Sequence, residues 1–157
     1  NKDFLNKWEP QRTSEFYTLE FHEKMLKEDF INIKEKRMFK LWIFKKDDTE
    51  LKRVIGSVAL NNIVWGSFLS CFLGYKLDKD EINQGYITET IKKCIEIAFK
   101  EYKLHRIEAN IMPKNIRSLR VVEKLGFSNE GLARKYLKIN GKWEDHIHMV
   151  LINDELE

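Results

Sequence analysis

FLSCFLGYKLDKDEINQGYITETIKKCIEIAFKEYKLHRIEANIM, Phe68–Met112, is the stretch on which the fold turns. Its first run, FLSCFLGYKL to Leu77, is β-rich. After a polar turn, Ile87, Ile91, Cys94, Ile95, Ala98, Phe99 and Tyr102 recur at the spacing of one helix face. HRIEANIM, His105–Met112, then reads as a second short strand. A strand, a helix and a strand in that order predict a right-handed crossover joining two parallel strands. The helix begins on NQGYITETI, Asn83–Ile91, with a glycine where a capping serine would ordinarily stand. Uncapped first-turn amides at the positive end of the helix dipole make a site for an anion such as a pyrophosphate, and Gly85 lets the backbone approach it. That site would lie just beyond the carboxyl end of the first strand, where ligands bind in sheets containing parallel pairs.

Outward from this unit, MFKLWIF (Met38–Phe44), VIGSVALNNIV (Val54–Val64) and the Phe68–Leu77 run read as three antiparallel strands, punctuated by Asp47-Asp48 and Gly66. Ahead of them Phe16, Leu19, Phe21, Met25, Leu26, Phe30 and Ile33 predict one amphipathic helix from Ser14 to about Lys36, with Thr13 as its cap. Downstream, Pro113 stops the strand and Asn115 caps a helix carrying Ile116, Leu119, Val122 and Leu125. Gly126 ends that helix. LARKYLKI and KWEDHIHMVLI flank Asn140-Gly141, the signature of a two-residue hairpin turn. The expected fold is therefore α/β (α+β), a mixed sheet with helices packed on it.

Composition bounds the function. A chain of 157 residues, 43% of them apolar, is long enough for one core and short for two domains, so 1–157 is expected to be one domain. With 28 basic and 25 acidic side chains, the net charge of +3 argues against a dedicated nucleic-acid surface and suits an anionic small molecule. Cys71 and Cys94 sit in apolar segments and read as buried reduced thiols, which fits a cytoplasmic location. No apolar run nears the roughly 20 residues that span a bilayer. The opening at Asn1, not methionine, suggests a preceding segment.

LGYKLDKDEINQGYITETI (Leu73–Ile91), HRIEANIMPKNIRSLRVVEKLGFSNEG (His105–Gly131) and YLKINGKWEDH (Tyr136–His146) together resemble the GNAT acetyltransferase superfamily. KWEP (Lys7–Pro10) and NNIVWGSFLSCFLGY (Asn61–Tyr75) extend the likeness to its branch of ribosomal-protein N-terminal acetyltransferases, in particular that of protein S5 alanine. The resemblance implies a mostly antiparallel sheet with one splayed parallel pair, and a strand and helix ahead of the WEP segment that are missing here. It also implies acetyl-CoA as co-substrate, lying in the split between the two strands of the crossover. Its pantetheine would pair with backbone at Tyr75, Lys76 and Leu77, and its pyrophosphate would rest on Asn83, Gln84, Gly85, Tyr86, Ile87 and Thr88. The family loop reads Gln or Arg, two residues, Gly, one residue, Gly or Ala. Asp80 and Asn83 depart from it; Asn83 still tolerates a left-handed backbone, whereas Asp80 would set negative charge near a phosphate.

In the family pattern Asn, two residues, Ser, the asparagine holds the pantetheine arm and the serine meets the departing thiolate; Asn115 and Ser118 match, on neighbouring positions of one helix face. The implied reaction is direct attack of a neutral amine on the thioester, with N–H groups near Gly74 and Tyr75 stabilising the oxyanion. A glutamate that some relatives use as base is replaced by Leu137, leaving Glu9, Glu108, His146 or a relayed water. Ser118, Glu9 and Tyr75 are the catalytic candidates. His146 and His148 lack the acidic or cysteine neighbours of a metal site, so no metal is expected. The expected function is acetylation of a primary amine, a protein N-terminus foremost. A small-amine or antibiotic acetyltransferase and an inactive CoA-binding module are the alternatives. No membrane partner is expected, and nucleic acid only through contact with the ribosome.

Overall fold

The computed structural model describes residues 1–156. Six strands form one sheet in the order β1-β2-β3-β4-β6-β5. They are β1 (Phe39–Ile43), β2 (Gly56–Val64), β3 (Ser70–Leu77), β4 (Arg106–Ile111), β5 (Ser128–Ile139) and β6 (Lys142–Ile152). Every neighbouring pair is antiparallel except β3 and β4, the pair joined by the crossover helix α3 (Tyr86–Glu96). The short α1 (Lys2–Leu5), α2 (Leu19–Lys34) and α4 (Ile116–Lys124) complete the helices.

Alternation in the strands and the helical stripes converge on one core. Val58 and Leu60 of β2, Cys71 and Leu73 of β3 and Ile107 and Ala109 of β4 meet Ile91 and Cys94 of α3 and Val122 of α4. Each fully buried large aliphatic side chain among them contributes about 1.5–3 kcal/mol. Burial pushes both thiols up to about 12, so Cys71 and Cys94 stay protonated and act as small apolar side chains. Asn140 and Gly141 carry φ of +44° and +81°, two successive left-handed residues that match the twist of the β5–β6 hairpin.

Two expected helices differ from their sequence reading. The Ser14–Lys36 helix is broken, with a 3₁₀ turn at Ser14–Tyr17 followed by α2. Thr18 is extended at the break; its hydroxyl donates to Glu15 O (2.7 Å) and accepts from Phe21 N (3.3 Å), so local capping ends one helix and starts the next. The apolar stripe survives the break only in part, since Leu19 and Phe30 remain 76% and 58% exposed. The second helix, expected to run on to Tyr102, widens into a π turn at Ile97–Glu101.

Candidate active site

The β3–β4 pair parts. It is in register only at Ser70↔Arg106, Cys71↔Ile107 and Phe72↔Glu108. Leu69 O accepts from His105 N (2.7 Å) and Arg106 N (3.1 Å), and two-residue alternation then turns the main chains of Cys71, Leu73, Tyr75 and Leu77 toward β4. Past Phe72 the ladder ends, and the edge at Tyr75 and Leu77 faces an open slot. Gly74, expected to share in an oxyanion site, faces the other way: Asp78 N bonds Ile55 O (2.7 Å), and the same alternation bonds Gly74 to Ala59 of β2. Of the two, only Tyr75 presents its N–H to the slot.

A cavity of about 830 Å³ fills this gap. Its wall takes Glu9 from the N-terminal segment, Tyr75, Lys76 and Leu77 from β3, and Asn83 and Gly85 from the turn. Tyr86, Ile87 and Thr88 come from the first turn of α3, and Asn115 and Ser118 from α4. Of the residues expected to hold the cofactor, Gln84 alone stays off the wall; its amide donates to Glu81 Oε2 (3.3 Å) instead. Asn83 and Gly85 are left-handed, with φ of +62° and +87°. No side chain caps α3, and a Cβ placed on Gly85 would meet nothing within 4 Å, so the first-turn amides open onto free space.

What holds this turn is a buried carboxylate. Glu81, 3% exposed, lies 2.8 Å from Lys45 Nζ and 3.2 Å from Arg53 Nη1. Asp78 accepts from Asp80 N (3.0 Å) and from Arg53 (2.8 Å), and the backbone bond to Asp80 leads the interactions that hold its carboxyl below the usual range. Asp80 itself is exposed and off the cavity wall. Three cations that the sequence reading passed over, Arg117, Arg120 and Lys124, line the cavity from α4. Their i, i+3, i+7 spacing was the available signal. Such a mouth fits a polyphosphate with an extended arm. Gly85→Val should weaken acetyl-CoA binding at least about tenfold by calorimetry, because a β-branched residue is strained at positive φ.

The slot has two chemically different sides. Counting from Phe72↔Glu108 sets Lys76 level with Met112, and the Asn110↔His148 pair sets Met112 level with His146. Residues in one row share a face, so Lys76 and His146 project on one side and Tyr75 on the other, toward α4. Tyr75 OH lies 2.5 Å from Ser118 Oγ and 3.1 Å from Ser118 O. Burial pushes its phenol up to about 12, partly opposed by the Ser118 bond, so it remains a neutral proton donor. Asn115 Oδ1 caps α4 by accepting from Ser118 N (3.3 Å).

On the opposite face Glu9 sits 3.2 Å from Lys76 Nζ and 3.8 Å from Arg12 Nε. Glu108 is off the wall, held by Arg106 (2.9 Å) and His148 (2.9 Å) where the strands are still zipped. His146 is on the wall and 3% exposed. Burial lowers its pKa, against the raising pull of the Glu144 carbonyl. A group depressed in this way is neutral in the fold and binds more protons unfolded, so its share of stability is present above the unfolded value near 6.5 and is lost as pH falls below it. Melting temperature should therefore drop between pH 7.5 and 5.5, and H146Q should reduce that drop.

A parted parallel pair, an exposed strand edge and an uncapped helix N-terminus beside it define an acyl-CoA-dependent transferase. The family model described as "Acetyltransferase (GNAT) domain" matches residues 1–128, and the chain belongs to that family of acetyl-CoA-dependent N-acetyltransferases. It is 40% identical over 157 residues to "Probable N-acetyltransferase YjcK" of Bacillus subtilis, covering 100% of this chain and 85% of that one. It is 35% identical over 150 residues to the "[Ribosomal protein uS5]-alanine N-acetyltransferase" of Escherichia coli, covering 94% and 74%. The crystal structure of the ribosomal-protein-S5-alanine acetyltransferase from Vibrio fischeri superposes with a TM-score of 0.94 at 36% identity, over 100% of this chain and 84% of that one. Mycobacterium smegmatis RimJ, solved in complex with CoA-disulfide, superposes at 0.90 with 25% identity, over 99% and 73%.

Proposed function

We propose that this enzyme acetylates the N-terminal amine of a protein, with a ribosomal protein as the class of acceptor, by direct attack within a ternary complex. The observation that carries the reading is the two-sided slot. Thioester chemistry needs a donor at the carbonyl oxygen, a proton for the leaving sulfur and an approach for the amine. The Tyr75 N–H, the Ser118–Tyr75 hydroxyl pair and the open face beyond Lys76 answer those needs in turn. The acceptor class follows the uS5-alanine relatives, whose likeness spans the active-site elements. Acetyl-CoA supplies the activated acyl group. Asn83–Thr88 main chain would hold its phosphates with Arg117, Arg120 and Lys124 beside them, and Tyr75–Leu77 its arm. The reading treats the chain as one catalytic domain working in the cytoplasm.

Release of CoA thiol should be measured against Ala- and Ser-initiated peptides, N-terminally blocked versions of each, and polyamines. Release with free N-termini alone supports the reading. Release with polyamines alone moves the chain to the small-amine class, and no release with any amine overturns catalysis altogether.

A further inference from the structure

Amide formation from an amine and a thioester moves two protons, one off the attacking nitrogen and one onto the departing sulfur. The hydroxyl pair of Ser118 and Tyr75 serves the second and lies on the α4 side of the slot. Resting on the acetyltransferase reading above, we propose that His146 is the base for the first.

The geometry limits the choice. Among the described residues of the cavity wall, Glu9 and His146 are the two ordinary proton acceptors. Glu9 is committed to Lys76 and Arg12. His146 Nδ1 lies 2.9 Å from the Glu144 carbonyl. A carbonyl only accepts, so Nδ1 carries the proton and Nε2 keeps its lone pair. The ring is level with Lys76 across the parted strands, on the face opposite Tyr75, which sets base and acid on the two sides of the carbonyl that direct attack requires. Other ionisable groups face the ring. Tyr136 of β5 packs 5.8 Å away, His148, Glu144 and Asp145 act on it along β6, and Lys76 and Glu9 stand across the slot. Glu144 is itself paired with Lys114 at 2.7 Å. Burial keeps the imidazole neutral and ready to accept.

In the step, the amine nitrogen bonds to the thioester carbon and its proton passes to His146 Nε2. The C–S bond breaks, and the thiolate takes a proton from Ser118 Oγ. Amide and CoA thiol leave, His146 gives its proton to water, and water returns one through Tyr75 to Ser118, which closes the cycle. No oxidant or metal enters the balance.

H146Q keeps a donor for the Glu144 carbonyl and removes the base. With an Ala-initiated peptide, kcat should fall about a hundredfold or more while the acetyl-CoA dissociation constant stays within about threefold. Below pH 6 the wild-type log(kcat/KM) should fall with a slope approaching two, one ionisation from the acceptor amine and one from His146. H146Q should retain the amine's slope of about one. Added imidazole should restore part of the rate to H146A. In the apo chain, nitrogen-15 correlation spectra of the histidines should show His146 protonated at Nδ1; this readout needs neither turnover nor a variant that folds. An Nε2–H tautomer, an H146Q rate within threefold of wild type, or a slower H146Q with an unchanged slope overturns the assignment. An active wild type with any of those results removes His146 alone, whereas a wild type inert toward every amine removes the function with it.

Discussion

Replacing Ser118 by alanine is expected to cut kcat about a hundredfold and leave acetyl-CoA affinity within about threefold. The hydroxyl is in the first turn of α4, at the cavity wall, with Tyr75 OH 2.5 Å away. Tyr75 has one proton for two acceptors, Ser118 O and Oγ. When it bonds Oγ, the serine's own proton is free for a third atom, and the thiolate is the atom that needs it. Alanine would delete the relay and leave the main chain proposed to hold the cofactor unchanged, so the loss should appear in turnover. Steady-state kinetics beside calorimetry with acetyl-CoA check this, and an equal loss in both would make Ser118 a binding residue. Tyr75→Phe should reproduce part of the loss, since the serine then keeps its hydroxyl but not its proton source.

Gly56→Val should be the most damaging single change outside the cavity. Gly56 pairs with Leu77 on one side and Ile43 on the other. A Cβ there would stand 2.6 Å from Lys76 O and 2.9 Å from Leu77 Cδ1. The first contact is main chain, which cannot swing aside as a side chain does, so β3 must move toward the slot. Overpacking of this kind costs about 1–3 kcal/mol, and a backbone clash belongs at the upper end. For a domain of this size that is a fall of roughly 6–12 °C in melting temperature. Because the displaced segment is the edge that faces the slot, acetyl-CoA affinity should fall as well. A scanning calorimetry trace coinciding with wild type would refute the argument.

The fold was legible wherever a local signal coincided with a tertiary need. The crossover from Phe68 to Met112, the Asn140-Gly141 turn and the left-handed Asn83 are of this kind, since periodicity and φ preference act within a few residues. Thr18 shows the limit: the apolar stripe ran straight through it, and only the capping bonds decided that the helix would stop. Asn115 and Ser118, singled out by the family motif, lie on the cavity wall. Placement fixed by distant pairing was not legible. Gly74 and Tyr75 are neighbours in the chain, and which of them faces the slot depends on hydrogen bonds to Ile55 and His105. Arg117, Arg120 and Lys124 drew no reading from the sequence, because only the fold brings the cavity along their side of α4.

On the proposed function the loop ahead of α3 would hold phosphates through its amides, and amides are common to every residue except proline. Its lettering is therefore free to drift between lineages so long as the two left-handed positions, Asn83 and Gly85, are respected. Saturation mutagenesis across Lys79–Thr88 should come out largely silent, punctuated by sharp intolerance at those two sites and at the buried anchor Glu81.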